Sequence, residues 1–403
     1  MNITETLNVR LRSAFMAVSI VFMSAAACAQ DMATIIERSL ANAGRQSLYM
    51  CSQLDTMVGR LPKTIDRRGR LTSSDSRWWC SGFFPGTLWY LYENLRDDRL
   101  LNYARIMTDR VEREKFTTDN HDVGFMIYCS FGNGERLFPS ERYEEVLTTA
   151  AHSLSTRFNQ AVGCIRSWNT KRWTYPVIID NMMNLELLMW AFHHTHDSTF
   201  YNIAVSHADK TMKHHYRDDY STWHVVSYDP VTGLPNKKQT HQGYSDSSAW
   251  ARGQGWSLYG FTMMYRETGL KHYLERAVKV AAYIMNHPSM PDDGIPYWDF
   301  NAPGQPDCKR DASAAAIIAS ALIELSDYDK ANADSYRCFA EKQLRTLASD
   351  IYTAEYGTNG GFILKHSVGN YPGKSEVDVP LTYADYYYIE ALTRYKKRFL
   401  NKK

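Results

Sequence analysis

From Met32 onward, apolar residues recur three to four positions apart through nearly the whole chain, which is the spacing of helices with one buried face. The pattern predicts helices near 33–57, 84–96, 98–113, 140–158, 181–195, 199–214, 248–267, 271–286, 311–326, 330–348 and 381–397. The stretch ASAAAIIASALIEL, 312–325, is rich in strong helix formers, and Asp311 stands where an N-cap belongs. Turn chemistry separates the helices, as in DPVTGLPN, HPSMPDDGIP, NAPGQPD and GNYPGKS. Alternating strand patterns are scarce, and only 223–228 and 361–365 predict small hairpins.

The fold class is therefore all-α. About a dozen paired helices without an exact repeat disfavour a TPR, HEAT or ankyrin array, and point to a solenoid or a closed helical barrel. In a closed barrel the inner helices are apolar nearly all round. DNMMNLELLMWAF, 180–192, fits that description, with Asp180, Asn181 and Asn184 at its polar mouth. No linker or low-complexity tract follows Met32, so residues 30–403 are expected to form one domain.

The first 29 residues differ. Arg10 and Arg12 precede an apolar run, Ala14 to Ala27, that ends in SAAACAQ. This reads as a signal peptide cut after Ala29 and implies a periplasmic protein, with lipidation at Cys28 as the competing reading. The run is shorter than the roughly 20 residues of a spanning helix, so no membrane span is expected. The seven cysteines form no CxxC or zinc spacing and read as buried small hydrophobes.

Lys plus Arg is 46 and Asp plus Glu is 44, which argues against a nucleic-acid partner. The many aromatic residues matter more, because they serve both helical cores and sugar stacking. Four segments place aromatics beside Asp, His or Arg just before a helical run: 77–93, 119–135, 167–184 and 240–260. Asp122 and Asp180 are the carboxylates to single out. Each is either an N-cap or an acid whose pKa is raised by apolar surroundings. Arg252 and Trp256 share a helix face if the helix starts near Ser247 or Ser248. Arg252 then either grips a carboxylate or makes an ion pair or cation–π stack. About half of Trp78, Trp79, Trp168, Trp173, Trp250 and Trp256 are expected in the core. His224 alone reads as a structural histidine. The His193–His196 cluster has no carboxylate pattern, and no metal or other cofactor is expected. Lys210–His215 reads as a solvated helix face.

Together, WWCSGFFPGTLW, HDVGFMIYCSFGNG, VIIDNMMNLELLMWA, THQGYSDSSAWARGQGWSLYGF, KRDASAAAIIASALIEL and VPLTYADYYYIEAL resemble the unsaturated glucuronyl hydrolases of glycoside hydrolase family 88, over roughly 33–397. The resemblance implies an (α/α)6 barrel. It implies hydration of the 4,5 double bond of a non-reducing-end unsaturated glucuronic acid. The implied substrates are lyase-generated disaccharides of heparin or heparan, chondroitin or hyaluronan. By the same resemblance Asp180 matches the general acid/base and Asp122 the assisting aspartate. His224, Gln242 and Arg252 match polar groups that contact the uronate, and Trp79, Trp168, Trp250 and Trp256 match aromatic walls. A C-terminal loop with Ser367, Lys374 and Ser375 is where sulfate would be tolerated. The expected partner is an unsaturated uronate-containing oligosaccharide, met by a monomer or small homo-oligomer. Alternatives are an unsaturated rhamnogalacturonyl hydrolase of pectin degradation, a non-catalytic sugar-binding protein, or a helical scaffold.

Overall fold

The computed structural model describes residues 31–400. The expectations placed on residues 1–29, the leader and the Cys28 anchor, lie outside them.

Helices with continuous burial alternate with amphipathic ones along the chain. The buried set is α2 (Phe83–Leu95), a π-helical segment (Gly124–Gly132) running into the short α4 (Asn133–Leu137), α6 (Asn181–Thr195), α8 (Ala251–Thr268), α10 (Ala312–Leu325) and α12 (Thr382–Tyr395). Every residue of α10 is buried, as is α8 from Ala251 to Met264. The amphipathic set is α1 (31–54), α3 (Asp98–Asp109), α5 (Glu141–Ser155), α7 (Ser198–His214), α9 (Lys271–Met285) and α11 (Ala333–Leu347). In α9 the buried residues Tyr273, Ala277, Val280, Ala281 and Ile284 form one stripe, as a helix with one wet face requires.

The packing closes a ring. The α2 helix packs on the π segment, which packs on α6, then α8, α10, α12 and α2 again. The outer helices α3, α5, α7, α9 and α11 each cover the inner helix before them in the chain. Near the sixth outer position, Tyr388 of α12 donates to Ser39 of α1 at 3.1 Å. This is the (α/α)6 barrel. One hydrophobic core runs continuously from Met32 to Tyr395.

Small sheets decorate the ring. They are the hairpin β1 (Leu61–Ile65)/β2 (Leu71–Ser74), the pair β3 (Phe158–Asn159)/β4 (Cys164–Ile165), the three-stranded sheet β5 (Pro176–Ile178)–β6 (Val225–Tyr228)–β7 (Pro235–Gln239), and the hairpin β8 (Ser367–Asn370)/β9 (Ser375–Val379).

Four local expectations are corrected. Helix α8 starts at Ala251, not near Ser247, because Asp299 accepts from Tyr244 N (2.9 Å) and Ser248 Oγ (2.7 Å) and holds the preceding segment in bends and a turn. Residues 361–365 form no hairpin, since the amides of Ile363 and Leu364 are taken by the Asp385 carboxylate at 2.9 and 2.8 Å. Lys210–His215 is not a wholly solvated face, because Thr211 and His215 are fully buried and His215 Nε2 meets Val177 O at 3.0 Å. Cysteines 51, 80, 129 and 164 are buried and free as expected, but Cys338 is exposed.

The π-helical segment was not foreseen. The Asn184 side chain of α6 takes the Phe125 amide at 2.8 Å, one of the first-turn amides that have no partner within their own helix. Gly124 permits the approach, since a β-carbon there would fall 2.6 Å from Asn184 Cα.

Candidate active site

The inner helices begin at one end of the ring. There the residues just before α2, the π segment, α6 and α12 surround a cavity of about 240 Å³. Its wall is formed by Trp78, Trp79, His121, Asp122, Trp168, Ile178, Asp180, His241, Gln242, Gly369, Asn370, Ser375, Glu376 and Tyr383. The N-termini of α2, the π segment, α6, α8 and α12 carry no side-chain cap. Their dipoles favour an anion at this end of the barrel.

Asp180 resolves the choice left open by the sequence. It occupies the N-cap position of α6, yet its side chain makes no capping bond. The carboxyl instead faces the cavity, 6% exposed, with Oδ2 unpartnered. Pairing of β5 with β6 positions it: Ile179 N donates to His224 O at 3.1 Å, which sets His224 beside Asp180. His224 Nδ1 accepts from the amides of His241 (3.1 Å) and Gln242 (3.2 Å). That nitrogen is therefore unprotonated, and the neutral ring carries its proton on Nε2, 3.7 Å from Asp180 Oδ2. Burial holds His224 well below its ordinary pKa, and nearby His241 and Arg252 add to the effect.

Asp122 is placed by a β-bridge between Asn120 and Trp168, supported by His121 N donating to Ser167 O at 3.1 Å. It is 9% exposed, with His121 Nε2 at 3.4 Å. Burial raises Asp122 to about 8, the Asp180 charge adds to this, and Arg157 opposes it. Burial also raises Asp180, to about 7, against the pull of Arg252 and the Trp256 indole N–H. Both carboxyls thus keep protons near neutrality. For Asp180 the main cause is burial. His121, pushed down to about 3 by burial, is neutral.

The other sequence-predicted residues divide. Trp79, Trp168 and Gln242 line the cavity with the two aspartates. Gln242 Nε2 donates to Gly369 O at 3.0 Å. Trp250 and Trp256 are buried behind the wall, Trp250 with its ring 4.5 Å from that of His224. Arg252 takes the ion-pair alternative: it is fully buried and paired within the protein. Its guanidinium pairs with Asp311 (3.0 Å), donates to Gly369 O (2.7 Å) and also to Val368 O. It fastens β8 and is not a wall residue. Ser367 is fully buried off the wall, and Lys374 is exposed in the 371–374 turn. Wall residues not foreseen are Trp78, His121, His241, Asn370, Glu376 and Tyr383. Of these, Trp78, His121, His241 and Tyr383 lay inside the quoted motifs, where their neighbours were chosen instead. Among the described residues no group of His, Cys, Asp and Glu has the arrangement of a metal site.

The chain matches the model of Glycosyl Hydrolase Family 88 over residues 53–397. It is 47% identical over 322 residues to an unsaturated glucuronyl hydrolase of Formosa agariphila, covering 79% of this chain and 80% of that protein. It is 34% identical over 333 residues to an unsaturated chondroitin disaccharide hydrolase of Streptococcus pneumoniae, covering 80% and 83%. The fold superposes on the crystal structure of an unsaturated glucuronyl hydrolase specific for heparin, with a TM-score of 0.88 and 46% identity, over 90% of this chain and 97% of the other.

Proposed function

Because this chain belongs to glycosyl hydrolase family 88, we propose that its cavity hydrates the 4,5 double bond of a non-reducing-end unsaturated glucuronic acid in glycosaminoglycan disaccharides. The observation that carries this reading is a pair of buried, uncapped carboxyls that hold protons near pH 7 at the floor of an aromatic-walled cavity. The resemblance to a heparin-specific structure supports a heparin- or heparan-derived disaccharide as substrate.

The chemistry needs one proton donor that later becomes an acceptor. The C4=C5 bond is an enol ether conjugated with the ring oxygen. Asp180 gives its proton to C4, and positive charge develops on C5 and O5. Water adds to C5 and returns a proton to Asp180. The resulting hemiketal opens and releases the second sugar. A carboxyl raised to about 7 is poised for both halves of this exchange. Asp122 assists as the neighbouring carboxyl. Neutral His224 offers Nε2–H beside Asp180, and Gln242, Trp79 and Trp168 hold the ring. No protein nucleophile is required, unlike the two-carboxylate glycosidases. Arg252 contributes by fixing the β8 carbonyls, and Trp250 and Trp256 by backing His224 and Asp180. Lys374 and the serines of this loop support tolerance of sulfate at the mouth.

The leader-like residues Arg10, Arg12 and Ala14–Ala27 support export to the periplasm. Sequencing the mature N-terminus from a periplasmic fraction tests the export. Among the described residues no helix is long and apolar enough to cross a membrane.

The test of function follows loss of the C=C absorbance of an unsaturated heparan or chondroitin disaccharide. Wild type consumes it, and Asp180→Asn is slower by at least about a hundredfold, the lower end for a lost general acid. Turnover by the variant at the wild-type rate removes Asp180 from its role. Consumption of an unsaturated rhamnogalacturonide alone transfers the chain to pectin chemistry.

A further inference from the structure

A third carboxylate on the cavity wall has no part in the reaction above. Glu376 of β9 lines the cavity, and its Oε1 is buried without a hydrogen-bond partner. A buried acceptor left unmet is costly, so its retention points to a donor arriving from outside. Its backbone is left-handed, φ 56°, a conformation that glutamate adopts only when its surroundings impose it. The surroundings do so. Oε2 lies where a β-carbon on Gly369 would come within 2.8 Å, so only glycine leaves room for it. The Gly369 carbonyl is itself pinned by Arg252 (2.7 Å) and Gln242 (3.0 Å). Burial raises the Glu376 carboxyl above its ordinary pKa, and on the other side Lys63 of β1, 4.0 Å from the Trp78 ring centroid, opposes that rise together with Arg252. The carboxylate is thus placed in advance of any substrate.

Its position identifies the sugar it meets. Asp122 and Asp180 are the nearly closed floor, 9% and 6% exposed. The β9 strand leads out to the exposed turn 371–374. A uronate seated on the two aspartates leaves its neighbouring sugar on the β9 side.

Resting on the proposed reaction, we infer that Glu376 is a specificity-determining residue for the leaving sugar. It accepts a hydrogen bond from a hydroxyl, amine or amide N–H on that sugar and refuses a sulfate at the same position. The sign of charge on the wall is negative there, even though the exposed cation Lys374 lies two residues away. A sulfate tolerated at the mouth is still rejected where the ring faces Glu376.

The experiment compares kcat/KM for an unsaturated, unsulfated heparan disaccharide and its singly sulfated isomers, on wild type, Glu376→Gln and Lys63→Ala. Glu376→Gln keeps the size and one acceptor but removes the charge. At least one sulfated isomer is expected to gain tenfold or more relative to the unsulfated substrate. Lys63→Ala leaves the β9 backbone untouched and is expected to shift the same ratio the opposite way. The inference is overturned if no isomer gains with Glu376→Gln, if all substrates lose equally, or if both variants move the ratio in one direction. If wild type consumes none of these disaccharides but hydrates another unsaturated uronide, the substrate reading fails and this inference falls with it.

Discussion

Replacing Asp122 by Asn is expected to make the protein more stable while costing it activity. The carboxyl makes no hydrogen bond that Asn would lose, its only close polar neighbour being His121 Nε2 at 3.4 Å. Its pKa rises from an ordinary 3.8 to about 8 on folding, chiefly through burial. The folded state therefore binds a proton that the unfolded state releases above pH 3.8. Stability falls as pH rises between those values, and the loss levels off above about 8. Each pH unit is worth about 1.4 kcal/mol, so the three units from 3.8 to 7 amount to about 4 kcal/mol. For a folded region of about 370 residues, unfolding entropy near 2.1 cal/mol/K per residue converts this to about 5 °C. Melting curves of wild type and Asp122→Asn at pH 5, 6, 7 and 8 are the assay. The variant should gain steadily on wild type across the series, while its C=C consumption drops. If the two melt with a constant separation at all four values, or the variant melts lower at pH 8, Asp122 does not carry a burial penalty and the reasoning is wrong.

Three further outcomes are expected. The rate kcat/KM should be flat from pH 5 to 6 and fall above about 7 as Asp180 loses its proton, because its raised pKa puts the active form on the acid side. No acidic limb near 6.5 should appear, since burial keeps His121 and His224 neutral, and a limb there would place a titrating histidine in the site. Arg252→Ala should cost about 3–5 kcal/mol by leaving buried Asp311 unpaired, visible as a lower Tm. Arg252→Lys should keep more of the stability yet lose turnover, because one ammonium cannot hold Asp311 and two β8 carbonyls; equal activity to wild type would refute this. Gly124→Ala should cost about 1–3 kcal/mol through overpacking against the Asn184 backbone, with a matching fall in activity, and a wild-type melt would contradict the close approach.

The barrel was legible in the sequence because helical spacing is local. An inner helix such as Asn181–Thr195 declares itself by being apolar all round. The start of α8 was read three residues early because Asp299, fifty residues away, holds Tyr244 and Ser248 out of the helix. The π segment escaped because helical spacing does not distinguish a wide turn from an ordinary one. Asp122 and Asp180 were singled out by their place beside aromatic segments, and Trp79 and Trp168 came in through motif resemblance. Spacing alone left capping and catalysis both open for the two aspartates. Only the fold shows that Asp180 declines to cap. The ion-pair partners of Arg252 could not be named from spacing because Asp311 and the Val368 and Gly369 carbonyls lie more than fifty residues downstream. Glu376 sits in a turn-rich loop, with nothing in its neighbours to mark it as a wall residue.

The widened turn from Gly124 to Gly132 also works as a counter of chain length. An α-helix advances about 100° for each residue, and a π turn spends one residue more per revolution. Deleting one residue between 125 and 131 while the wide turns persist, with α4 and α5 kept on their seats, would put everything upstream out of phase by about a quarter revolution, and the Asp122 carboxyl would swing away from the floor it shares with Asp180. Loops at the far end of this barrel can lengthen or shorten without touching the chemistry. Here the number of residues is itself a functional quantity.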